Sequence, residues 1–238
     1  MDISLDPRLS SSGSRVDFRP GLRMDIALEP LLKRPDLPQL VAALNSQLQH
    51  EKLARDKFLR ELTPNMKAEF IGGEMIMHSP AKAKHIRVTG RLYKMLDMHV
   101  AKHKLGEVFF EKALVHLTRN DYEPDVLFYE TDKAARIEPD QVLFPAPAFI
   151  AEVLSDSTES RDRGVKFEDY ALHAVPEYWL IDSDQHFVEQ YQLDGQVYKL
   201  FQKLHAGSIA SLVVPGFEIP LAALFNDEAH RNYLLDSQ

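Results

Sequence analysis

Two short apolar runs near the middle of the chain each carry one carboxylate. Val126-Leu127-Phe128-Tyr129 follows Glu123-Pro124-Asp125, and Ala148-Phe149-Ile150-Ala151 leads into Glu152-Val153-Leu154. Nearly continuous apolar runs bounded by turn formers read as strands covered on both faces. A charge in such a strand is costly unless it is paired, hydrogen-bonded or bound to a metal. Asp125 and Glu152 therefore need a reason, and Arg161-Asp162-Arg163-Gly164-Val165-Lys166 follows directly with a lysine.

The flanking pattern predicts the other elements. Residues 1–36, with Ser10-Ser11-Ser12-Gly13-Ser14 and scattered prolines, read as an irregular arm. Leu40, Val41, Leu44, Leu48, Phe58, Leu59 and Leu62 recur at helical spacing, giving one helix from Pro38 to Leu62 or two with a break near His50. Residues 68–77 read as strand, two-glycine turn, strand. Val88, Leu92, Leu96 and Val100 step by four along a helix that ends at Gly106. Strands are expected at 107–110, 113–117 and 177–182, with a short helix around 133–136. The capping residues Ser155-Asp156-Ser157-Thr158 predict one helix running to Ala174. Asp194-Gly195 between apolar runs predicts a hairpin, and the tail a last strand or turn and a short helix. Strand pairs, a helix and another strand make an α/β domain with a mixed sheet.

Taken together, Pro124-Asp125, Glu152-Val153-Leu154-Ser155, Asp162, Lys166 and Val175-Pro176-Glu177-Tyr178-Trp179 resemble the Uma2-like family of restriction-endonuclease-like proteins. Ile71-Gly72-Gly73-Glu74-Met75-Ile76, Ser79-Pro80 and His85 extend the resemblance, which spans roughly residues 67 to 193. The resemblance implies the PD-(D/E)xK nuclease fold, an α/β architecture with a mixed central sheet flanked by helices. Residues 1–62 are then a flexible arm and helical extension, and residues 63–238 the nuclease domain. The resemblance also implies that Asp125 and Glu152 ligate Mg2+ or Mn2+, that Lys166 assists an attacking water, and that Glu74 is an auxiliary acid. His85 and Asp162 are implied neighbours of the site. The usual lysine position, two after Glu152, is Leu154 here; Uma2-like proteins share this displacement, and it is the resemblance that gives the role to Lys166.

Structural readings stand beside these. Asp125 could cap a turn, and Glu152 could pair with an arginine. Lys166 could pair only with Asp162, four residues back on one helix face. Glu74 could be an exposed hairpin residue and His85 a simple hydrogen-bond donor. Tyr170 is read as packing, and Tyr178 and Trp179 as core.

Composition narrows the class further. The 238 residues are 45% hydrophobic and 27% charged, an ordinary globular balance. The absence of cysteine excludes disulfides, thiolate metal sites and cysteine nucleophiles. The first residues lack a signal-peptide pattern, and no apolar run reaches membrane-spanning length, so the expectation is a cytoplasmic protein without a membrane partner. A net charge of −8 argues against indiscriminate coating of nucleic acid, since that rests on phosphate neutralisation. The leading expectation is a Mg2+-dependent endonuclease with DNA as substrate. The rivals are an inactive binding or assembly module on the same fold and a hydrolase of small phosphodiesters. A homodimer is left open.

Overall fold

The structure, a computed structural model, describes residues 28–63 and 65–237. The arm expected over residues 1–36 lies outside the described residues as far as residue 27. The described residues divide into two units between Ala42 and Ala43. Helix α1 (Leu28–Leu32) is followed by α2 (Leu37–Glu61), which is continuous through His50. The hairpin β1 (Ala68–Ile71) and β2 (Glu74–Met77) turns at Gly72 and Gly73, both at positive φ. Helix α3 (Ala83–His103) leads to β3 (Gly106–Phe110), β4 (Leu114–His116), β5 (Asp121–Tyr122) and β6 (Val126–Glu130). Next come α4 (Thr131–Ala134), β7 (Leu143–Phe144), β8 (Phe149–Val153), α5 (Glu159–Asp162) and α6 (Val165–Leu172). The rest is β9 (Glu177–Asp182), β10 (Phe187–Asp194), β11 (Val197–Leu204), β12 (Ser208–Ala210), β13 (Glu218–Pro220), α7 (Ala222–Phe225) and α8 (Asp227–Asp236).

Six strands form the central sheet in the order β11-β10-β9-β8-β6-β3. It is mixed: β8 and β9 run parallel, and the other neighbours run antiparallel. A second sheet has the order β2-β1-β5-β4-β7. The expected mixed α/β architecture is therefore what the chain adopts. All five residues of β8 are buried, as a strand covered on both faces requires. One face, with Phe128, Phe149, Ala151, Val153, Trp179 and Ile181, packs with Leu92, Leu96 and Leu224 from the helices. The other, with Leu127, Tyr129, Ile150, Leu154, Tyr178 and Leu180, packs with Tyr170 and Ala171 of α6.

Strand parity decides where the carboxylates go. Side chains two apart share a face. Asp125 shares parity with Leu127 and Tyr129, and Glu152 with Ile150 and Leu154, so both belong to the α6 face. The register Val126↔Ala151 then sets them side by side.

Three expectations change. The single helix after Thr158 is two short ones. At Gly164 a Cβ would lie 2.7 Å from the Ser160 carbonyl oxygen, so the chain kinks where only glycine fits. The apolar spacing of α2 does form a helix, but Leu44 and Leu48 are exposed. Its C-terminal part alone buries an apolar face: Phe58 packs on Phe70 at 5.7 Å, beside Ala68 and Leu114. Finally, α8 follows the tail helix, started by Asn226, whose side chain accepts from the backbone N–H of Glu228 and Ala229.

Candidate active site

The site is a cleft of about 640 Å³ where the ends of β6 and β8 meet α3, α5 and α6. Asp125 stands just before β6 and reaches across to β8. Its Oδ2 accepts a 2.7 Å hydrogen bond from the Val153 N–H, and its own N–H points at Glu152 Oε2 at 3.4 Å. His85 Nε2, from the first turn of α3, lies 3.1 Å from Asp125 Oδ1. Burial opposes the Asp125 charge, but the His85 and Val153 hydrogen bonds overcome it and hold the carboxyl below its usual range. His85 is raised in turn, because Asp125 outweighs burial.

Lys166 comes from the first turn of α6 and is only 2% exposed. Its Nζ donates to Glu152 Oε1 at 3.0 Å. It also lies 2.9 Å from Glu69 Oε1 and 3.1 Å from Asp162 Oδ1. Burial works against the ammonium, yet the three carboxylates hold it charged well above the ordinary lysine range. Tyr170, one turn on, donates from its hydroxyl to Glu152 Oε1 at 3.1 Å.

The acids outnumber their cations. Burial pushes Glu152 well up, aided by Asp162, Asp125 and Glu69, and Lys166 does not fully offset this. Asp162 is raised by burial in the same way. Glu123 is raised to about 7, mainly by burial. Glu69 is the exception: burial opposes its charge, but Lys166 and His78 hold it at about 2. Several oxygens are left over. Glu69 Oε2, Glu123 Oε2 and Asp162 Oδ1 are buried without a hydrogen-bond partner. The contacts at Glu69 Oε2 (His78 Nε2, 3.3 Å) and Asp162 Oδ1 (Lys166) are ion pairs without hydrogen-bond geometry.

Glu123 and Asp162, two of these three acids, line the cleft, and spare carboxylate oxygens beside Asp125 and Glu152 suit a hard divalent cation. Among the described residues no three acid or histidine side chains form a ready-made ion cage. Magnesium does not need one, since it takes one or two carboxylates and keeps waters. Asp125 and Glu152 fit that donor set.

The model of the Uma2 family, described as "Putative restriction endonuclease", matches residues 55–222. The chain belongs to the Uma2 family. An uncharacterized protein of Synechocystis sp., sll1609, is 31% identical over 145 residues, covering 60% of this chain and 81% of that protein. A crystal structure of a "putative nuclease belonging to DUF820" from Anabaena variabilis superposes with a TM-score of 0.62 at 19% identity. That match covers 71% of this chain and 96% of the Anabaena chain, and at this identity it speaks for the fold.

Of the residues singled out in the sequence, this Uma2 chain gathers Asp125, Glu152, Lys166, His85 and Asp162 in the cleft. Glu74 is the correction: it is exposed beside the Gly72-Gly73 turn, paired with Ile71, and does not line the cleft. The hairpin tip carries it away, and the acid that this hairpin contributes is Glu69, fully buried against Lys166. Glu69 lies between Ala68 and Phe70, the same anomaly of a charge in an apolar strand that marked Glu152, so the rule that found one applied to the other. Glu123 gave only its place before Pro124. Tyr170 is packed, as expected, and also hydrogen-bonds Glu152. Tyr178 and Trp179 are core at 0% exposure.

Proposed function

We propose that this chain is a metal-dependent endonuclease hydrolysing DNA phosphodiester bonds, with Asp125 and Glu152 as ligands of Mg2+ or Mn2+. One observation carries the reading: two strand-borne carboxylates converge in a cleft beside a buried ammonium, with carboxylate oxygens to spare. The family description points to nucleic acid as the substrate class. When bound, the divalent ion polarises the phosphoryl oxygen and acidifies a water.

The chain's own residues supply the rest. His85 and the Val153 N–H fix the rotamer of Asp125. Tyr170 and Lys166 both hold Glu152 Oε1, which leaves Oε2 turned toward Asp125. An ammonium has three donors. Lys166 spends one in hydrogen-bond geometry on Glu152. Glu69 and Asp162 face its other two N–H groups as ion pairs without hydrogen-bond geometry, and turning one of these toward a water or a phosphoryl oxygen would let it meet developing charge. Glu69 and Asp162 position it. Burial of the cluster excludes bulk water and strengthens each of these interactions.

The test is nicking of supercoiled DNA by purified protein in Mg2+ or Mn2+ against chelator. Asp125→Asn and Glu152→Gln should abolish metal-dependent nicking, and Lys166→Arg should recover little of it, because the guanidinium is not a compact ammonium. Wild-type nicking that survives chelation, or that persists in Asp125→Asn, refutes the reading.

A further inference from the structure

The cleft is a poor place for a polyanion on charge alone. Among the described residues, seven carboxylates line it against five lysines and arginines. Most of those cations are already engaged. Lys67 pairs with Glu111 at 3.8 Å, Lys82 with Asp156 at 2.9 Å, and Lys84 with Asp184. Lys166 faces its three acids.

Arg161 is different. It lies on α5 in the cleft wall, next in sequence to Asp162, and makes no ion pair or side-chain hydrogen bond with any described residue. Its Nε is buried and unpartnered. A guanidinium N–H shut away from water without an acceptor costs free energy. Carboxylates are abundant around it, yet none is placed to receive it. Arg161 as a whole is only partly buried, so its outer guanidinium edge is open to an external anion, and phosphate matches that fork bidentately.

A second free guanidinium lies next door. A groove of about 300 Å³ adjoins the cleft and shares Lys84 and Ser183 with it as a common wall. Of its arginines, Arg91 is tied to the Leu224 carbonyl at 3.0 Å and to Asp227. Arg87, one helical turn beyond Lys84 on α3, is exposed and has no partner among the described residues. A small phosphodiester has one phosphate and no use for two free arginines in two connected grooves. A polynucleotide has a phosphate at every nucleotide.

We propose that Arg161 and Arg87 grip two phosphates of one nucleic-acid backbone, Arg161 beside the carboxylate site and Arg87 in the adjoining groove. The substrate is thereby a polynucleotide rather than a small phosphodiester. The proposal takes from the reading above only the place of the site, and its test is binding, which needs no turnover.

Fluorescence anisotropy with a short fluorescein-labelled duplex DNA and its single strand, without divalent metal and over a salt series, reads both affinity and phosphate contacts. Arg161→Ala and Arg87→Ala should each weaken binding about tenfold. Each should flatten the slope of log affinity against log salt by about one, and the double variant by about two. Arg161→Lys, which keeps the charge and is the safer variant for folding, should keep the slope but recover only part of the affinity. Arg136→Ala removes an equal charge from an exposed site outside both grooves and should bind within about twofold of wild type. Melting temperatures check that the variants fold. Binding of Arg161→Ala and Arg87→Ala that matches Arg136→Ala overturns the proposal, and so does wild-type protein that binds neither nucleic acid. Hydrolysis of bis(p-nitrophenyl) phosphate in Mn2+ separates the two readings. If no form of the protein hydrolyses any phosphodiester while the binding losses remain, the nuclease reading falls and the grip stands.

Discussion

Lys166→Met replaces the buried ammonium by an apolar chain of similar length and leaves its three carboxylate neighbours in place. Glu69, Glu152 and Asp162 approach Nζ at 2.9, 3.0 and 3.1 Å. At an effective dielectric of about 20, each contact near 3 Å is worth about 5 kcal/mol of attraction. Dehydration of the charges offsets most of that in the wild type, but the substitution removes the attraction and keeps the buried anions. Breaking buried pairs from one side costs about 3–5 kcal/mol. For a chain of this size that lowers Tm by about 6–20 °C. The pH dependence has a definite sign. In the variant the carboxylates are raised in the folded state, so they add stability at low pH and lose it as pH rises. The penalty relative to wild type should therefore shrink as pH falls from neutral. In the wild type, Glu69 is held at about 2 against an ordinary value of 4.5, so its contribution is present above 4.5 and fades only as pH approaches 2. Differential scanning calorimetry of both proteins across this range is the assay. A Tm loss below about 2 °C at neutral pH, or a loss that does not change with pH, refutes the buried four-group cluster. Asp162→Asn should cost much less, since Lys166 keeps two acids.

Three other outcomes follow from the same geometry. Asp125→Asn keeps an acceptor for the Val153 N–H and relieves repulsion with Glu152, but it gives up the ionic pairing with His85 that holds Asp125 charged, so Tm should fall by about 2–4 °C; a fall beyond about 10 °C would make Asp125 a structural partner. Glu177→Gln should cost about 2–3 kcal/mol by urea denaturation, because the buried carboxylate accepts from Trp179, Gln190, Ser211 and the N–H groups of Leu212 and Val213, and an amide nitrogen would face some of those donors; a loss under about 0.5 kcal/mol would sink this account. His173, raised above the ordinary histidine range by its hydrogen bond to Asp169, should titrate high by NMR and return toward 6.5 in Asp169→Asn. That pair stabilises the fold fully below pH 6.5 and is lost as pH rises through the raised value, and an unchanged midpoint in the variant would rule it out.

The linear pattern determined the local elements and the two carboxylates that organise them. Apolar runs between turn formers marked β6 and β8, the four-residue steps of Val88, Leu92, Leu96 and Val100 marked α3, and Gly72-Gly73 and Asp194-Gly195 marked the hairpins. These signals are local, because a strand's parity and a helix's stripe are written within a few residues. A charge set in an apolar strand is equally local, which is why Asp125 and Glu152 stood out. Which acids join them was decided by long-range strand pairing. Glu69 and Glu74 sit in one hairpin, and no spacing within it says which acid meets a lysine nearly a hundred residues away. The packing of β1 beside β5, and of α6 on the central sheet, buries Glu69 against Lys166 and leaves Glu74 in solvent. The same holds for Arg161: its position along the chain carried no sign of its surroundings, and only the folded cleft shows that, among the described residues, every other lysine there has an acid while Arg161 has none. Partnership between charges depends on three-dimensional distance and on exclusion of water, and neither is encoded in spacing along the chain.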